Sequence, residues 1–148
     1  MTIPYKRILL VEGNQVCRQF LAKLLSCLGY AVTEATTGLD GIYKAATELP
    51  DLIMMGADLP QLTGIEVTAW LKKHPYTKNI PVLIYAPSRS SSGDFEAFSA
   101  GAFAVVNDPI DVDVLRKTFQ LCFPSRKEAL RDANPDSSAV RPPIRRYP

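Results

Sequence analysis

Two kinds of apolar pattern alternate along the chain. Short unbroken runs stand at positions 7–12 (RILLVE), 52–55 (LIMM), 80–86 (IPVLIYA) and 103–106 (FAVV), with AVTEA at 31–35 as a further strand. Runs without polar alternation are how strands of a parallel sheet read when helices cover both faces. The intervals carry helical spacing. After Asn14, a potential cap, Val16, Phe20, Leu21, Leu24, Leu25 and Leu28 recur until Gly29. Thr37 to Leu49 predicts a helix with Leu39, Ile42, Ala45, Ala46 and Leu49 inward, weakened by Gly38 and Gly41. Thr63 caps a helix from Gly64 to His74, stopped before Pro75, with Val67 and Leu71 towards the sheet. Ser90 or Ser91 opens a short helix through Ala100, with Asp94 and Glu96 in its first turn and Gly101 at its end. Asp111 caps the last helix, to about Phe123, with Val112, Leu115, Phe119 and Cys122 inside.

Five strands alternating with five helices through short loops predict an α/β, doubly wound parallel sheet in one domain over residues 1–123. The pattern stops there. Residues 125–133 (SRKEALRDA) could extend the helix or form one short helical segment, and 134–148 (NPDSSAVRPPIRRYP) has four prolines and three arginines, as in a disordered or polyproline-like tail.

Charge sharpens this division. Residues 1–123 hold 11 Lys/Arg and 12 Asp/Glu, net −1, whereas residues 124–148 hold 6 and 3, net +3. A near-neutral body offers no global case for nucleic acid. Cys17, Cys27 and Cys122 are odd in number and lack metal-ligand spacing, so a disulfide scaffold or zinc site is not expected, and they read as buried apolar residues. No signal peptide or long apolar span is evident, which predicts a cytoplasmic protein outside the membrane.

The strand at 52–56 ends on a glycine, at the end of a parallel strand where ligands and chemistry gather. VEGN after the first strand, PDLIMMG…LPQLTG around the third, PVLIYA at the fourth and GAFAVVNDP at the fifth together resemble the receiver domain of bacterial response regulators. The resemblance covers about Arg7 to Phe123 and implies a flavodoxin-like sheet of order 2-1-3-4-5. It also implies a magnesium-assisted phosphoacceptor site at the strand ends, in which the metal neutralises charge on the transferring group. At those positions this chain has Glu12 and Gly13 for the acidic pair, Gly56 for the acceptor aspartate, and Ala86 for the hydroxyl residue. Asp108 stands for the lysine and Val105 for the aromatic switch. Pro60, Gly64, Gly101, Ala102 and Pro109, which shape the loops, are kept, and the resemblance makes a cis Asp108–Pro109 bond plausible. A glycine cannot accept a phosphoryl group, so the expectation is a pseudo-receiver without cofactor or catalysis.

Other residues carry alternatives. Glu12 reads either as a solvated loop acid or helix-cap partner, or as a cation ligand with Asp58 or Asp108 recruited. Asp58 is the one candidate for substitute phosphorylation, although two residues past the strand it should lie in the loop. Trp70, to the side or outside of its helix, is either a partner anchor or a ring lying over a helix neighbour. Phe95, Phe98 and Phe103 form a candidate patch on the fourth-helix, fifth-strand, fifth-helix face, which is also a candidate homodimer surface, or Phe98 and Phe103 are core. His74 reads as a cap, and Arg141, Arg145 and Arg146 either contact an acidic partner, a polyproline-reading groove or nucleic acid, or are simply solvated. The expected function is a phosphorylation-independent protein-interaction module in signalling, motility or localisation. The rivals are a receiver phosphorylated near Asp58, a small-ligand module at the strand ends, and an oligomeric scaffold.

Overall fold

The structure is a computed structural model that describes residues 6–88 and 91–123, with only the backbone of 91 and 92. The tail, Arg141, Arg145, Arg146 and the alternative cap Ser90 lie outside the described residues. The elements run β1 (Arg7–Val11), α1 (Gln15–Cys27), β2 (Ala31–Ala35), α2 (Gly38–Glu48), β3 (Leu52–Gly56), α3 (Gly64–Lys73), β4 (Val82–Tyr85), α4 (Ser91–Ala100), β5 (Ala104–Val106) and α5 (Val112–Cys122). The five strands pair in parallel in the order β2-β1-β3-β4-β5. Leu9 sits beside Ile53, Ile53 beside Val82, and Leu83 beside Ala104. β3 is therefore the central strand, and every one of its residues is buried.

Alternate residues of the strands feed two cores, as the two-residue period of a strand requires. Leu9, Val11, Ile53, Met55, Val82 and Ile84 face α2, α3 and α4, while Ile8, Leu10, Leu52, Met54, Leu83 and Tyr85 face α1 and α5. The caps follow the local sequence. Asn14, Thr37, Thr63 and Asp111 each accept a backbone N–H of the following turn, and Thr63 forms a reciprocal capping box with Glu66. Gly29 and Gly101 end α1 and α4 at φ of +99° and +108°, a conformation in which a Cβ is disfavoured.

Several inward assignments are corrected. Val16 and Phe20 are exposed, because α1 meets the sheet through Leu21 and Leu25 and its apolar arc is wider than the contact. Leu39 and Ala46 face outward and Leu49 lies past α2 as a left-handed cap. The reason is proximity: a Cβ on Gly41 would lie 2.9 Å from Val11 Cγ2, so glycine lets α2 pack closely on β1 where larger residues would not fit. The two glycines that weaken α2 by propensity are thus its packing surface. Val112, at the start of α5, is 36% exposed, and the buried residues of that helix are Leu115 and Phe119. Cys27 is exposed, and Cys17 and Cys122 are half-buried.

Candidate functional site

The carboxyl ends of the strands bring together Glu12 and Gly13 after β1, Gly56 at the end of β3, Ala86 after β4 and Asp108 after β5. Glu12 is the centre of the group. It is only 6% exposed, which corrects the expectation of a solvated loop acid. Its Oε2 accepts the Asn14 N–H at 3.0 Å, so the local cap-partner reading holds. Burial raises the Glu12 carboxyl above its ordinary range and Asp58 adds to this, while backbone N–H groups of Asn14 and Gly13 and the charge of Arg18 pull the other way. Arg18 donates to the Glu12 carbonyl at 3.0 Å and pairs with Glu34 at 3.3 Å.

The space above Gly56 is taken. A Cβ built there would stand 2.5 Å from Glu12 Oε1 and 3.1 Å from its Cδ, closer than real Cβ atoms come. The Glu12 carboxylate therefore occupies the volume through which a side chain at 56 would leave the strand. Gly64 closes in from the other side, its N–H donating to the Ala57 carbonyl at 2.9 Å. Asp58 is exposed in the loop after β3.

Around β4 and β5 the arrangement is mostly apolar, with Ser88 and Asp94 as its polar members. Ala57, Ile65, Ile84, Ala86, Ala97 and Val105 line a cavity of about 50 Å³, at the positions where the resemblance implies a hydroxyl and an aromatic ring. Asp108, at the lysine position, faces elsewhere: its Oδ2 accepts the Tyr85 hydroxyl at 2.8 Å on the α1 side of the sheet. Burial, then this hydrogen bond, pushes the Tyr85 phenol well above its usual range. The Asp108–Pro109 peptide is cis, in keeping with the expectation. The sequence reading had missed Tyr85. Its alternation with Ile84 puts it on the α1/α5 face, but nothing local pairs it with Asp108, 23 positions away.

A magnesium ion, which the resemblance implies, does not fit these residues. Gly13 and Gly56 supply no side-chain oxygen, and Glu12 is already held by backbone N–H groups. Among the described residues no three His, Cys, Asp or Glu side chains converge as metal ligands, and no helix is long and apolar enough to cross a membrane.

The aromatic candidates separate. Trp70 is 39% exposed and stacks on His74, ring centroids 3.5 Å apart, so it both shows a face and lies over a helix neighbour. His74 is the C-cap of α3. Phe95 is 73% exposed, and Phe98 is half-buried on the same helix. Phe103, just before β5, packs into the α1/α5 core, so the three do not form one exposed patch.

Comparison with known proteins agrees with the topology. Residues 8–120 match the response regulator receiver domain family. The polar-differentiation response regulator DivK of Brucella ovis and that of Brucella melitensis are each 30% identical over 107 residues, covering 72% of this chain and 87% of theirs. The chemotaxis protein CheY4 of Vibrio cholerae superposes with a TM-score of 0.74 at 25% identity, over 81% of this chain and 100% of its own. A putative response regulator from Chloroflexus aurantiacus gives 0.77 at 24% identity, over 80% and 98%, a likeness of fold. With its parallel 2-1-3-4-5 sheet and its match across both cores, the chain belongs to the response regulator receiver domain family.

Proposed function

We propose that this chain is a pseudo-receiver: a receiver domain that has kept the scaffold, has lost phosphoryl transfer, and works by binding a protein partner. The observation that carries this reading is Gly56 with the Glu12 carboxylate 2.5 Å from where its Cβ would be. Phosphoryl transfer to an acidic site depends on an acceptor, a placed metal and groups that stabilise charge on the moving phosphoryl. Here the acceptor position has no side chain, Ala86 offers no hydroxyl, and Asp108 puts a negative charge where a cation is needed. Asp58 is a poor substitute because it is exposed in the loop with none of those groups around it. A small-ligand role at the strand ends is disfavoured by size: a cavity of about 50 Å³ holds a few waters at most.

Signalling then goes through outer surfaces, with Trp70 on α3 and Phe95 on α4 as candidate anchors for an unidentified protein partner. The test is incubation of the full chain with acetyl phosphate and magnesium, followed by intact mass, beside a receiver that has the acceptor aspartate. No phosphoryl gain is expected here while the control is modified. A gain, mapped to Asp58 or elsewhere, overturns the reading.

A further inference from the structure

A groove larger than the strand-end cavity lies on the α1/α5 side of the sheet. It encloses about 530 Å³ and is lined by the first turns of α1, the end of β4 and the loop into α5. Val16 and Phe20 stand 75% and 56% exposed on one wall, and Ile110 and Val112 form the other. Its lining includes no lysine or arginine, whereas the Asp108 carboxylate is part of it and Asp111 and Asp113 flank Val112. Among the described residues neither Asp108 nor Asp111 has a basic partner, and Arg116 reaches Asp113 only at 3.8 Å. The groove is apolar on its floor and acidic on one rim.

We propose that this groove is the seat of the chain's own residues 140–147, VRPPIRRY. Three properties of that segment match it. Val140, Ile144 and Tyr147 supply apolar side chains for the floor. Arg141, Arg145 and Arg146 carry charge opposite to the rim, within a stretch of net charge +3. Pro142 and Pro143 each carry the fixed φ of proline, which narrows the conformations of the unbound segment and so lowers the ordering cost of lying in an aromatic-walled groove.

Length permits the return. α5 packs on the same sheet face as α1 and its 11 residues rise about 16 Å from the groove to Cys122. Residues 124–139 separate Phe123 from Val140, and even partly extended they span that distance, at about 3.3 Å per residue. Tethering matters energetically. A peptide with a few anchors binds weakly when free, but a short flexible tether holds it at an effective concentration of about millimolar. The tail thus masks the α1 face until something else takes the groove. This proposal does not rest on the pseudo-receiver reading and survives or fails apart from it.

The experiment is NMR of the full chain, isotope-labelled, as wild type, Ile144→Asp and Arg145→Glu/Arg146→Glu. The wild type is expected to show NOEs from Ile144 and Tyr147 to Val16 and Phe20. Both variants are expected to lose them and to shift the amides of Val16, Phe20, Ile110 and Val112, independently of protein concentration. Phe20→Ser, at an exposed position, is read from the other side and is expected to shift the amides of Ile144 and Tyr147. Groove amides unmoved by the tail variants overturn the proposal. So do shifts that follow dilution, which would put a second copy in the groove.

Discussion

An aspartate placed at the end of β3, Gly56→Asp, is expected to destabilise the domain. The new Cβ would stand 2.5 Å from Glu12 Oε1, so Glu12 has to swing away and give up the Asn14 N–H. Losing a hydrogen bond to a buried charged group costs about 1.5–3 kcal/mol. The added carboxylate then sits beside a second one, with Asp58 near. Two like charges about 4 Å apart repel by up to about 4 kcal/mol at an effective dielectric of 20, a ceiling that protonation relieves. A net loss of about 2–4 kcal/mol at pH 7 follows from these two effects. Gly56→Ala introduces the same Cβ without the charge, so it should lose at least about 1 kcal/mol less. The pH dependence has a definite sign. Burial raises the Glu12 carboxyl in the folded state above its ordinary value of 4.5, so the folded state holds that proton more tightly than the unfolded chain. Stability from this group is therefore greatest at acid pH and falls as pH rises from about 4.5 through the folded value. Gly56→Asp extends that fall upward, so its deficit relative to Gly56→Ala should shrink at pH 5. Urea titration of the three proteins at pH 5 and pH 7 measures this. A Gly56→Asp protein within about 0.5 kcal/mol of wild type at pH 7 would show that Glu12 leaves freely and that the pocket is not filled as described.

Two further outcomes come from other parts of the fold. Val105→Ile places one methylene in the cavity of about 50 Å³ and should stabilise by about 0.8 kcal/mol, a rise of a few degrees in Tm by calorimetry; a lower Tm would mean the added carbon cannot enter. Lys72 donates to the carbonyls of Ile80 and Lys78 at 2.6 and 3.1 Å, and burial brings its ammonium down from 10.5 to about 8. Between those values the unfolded chain binds the extra proton, so wild-type stability should gain from this group as pH rises from about 8 to 10.5. Lys72→Met should remove that gain, read as the difference between the urea midpoints of wild type and variant across the range; a difference that stays flat refutes the assignment.

Element order was legible because it is written in short-range patterns: unbroken apolar runs, capping residues such as Thr63 and Asp111, and the stop signals Gly29 and Gly101. Each depends on residues within a few positions, so one sequence suffices. Glu12, Gly56, Ala86 and Asp108 could be named as strand-end positions for the same reason. Which way they point could not. Leu39 and Val16 satisfy the helical period as well as Ala45 and Leu21 do, yet they face solvent, because the sheet touches only part of each helix's apolar arc.

The chain alone therefore settles the alternation of strands and helices and the absence of a side chain at position 56. Tertiary structure decides what fills that absence. Strands β1 and β3 lie side by side, with Leu10 beside Met54 and Val11 beside Met55, which carries the residue after β1, Glu12, to the side of Gly56. The same sheet turns Tyr85 to the opposite face, where it takes Asp108 with it and shapes the groove along α1. Neither pairing has a local signature, since the partners are 44 and 23 positions apart and meet only through the register of parallel strands.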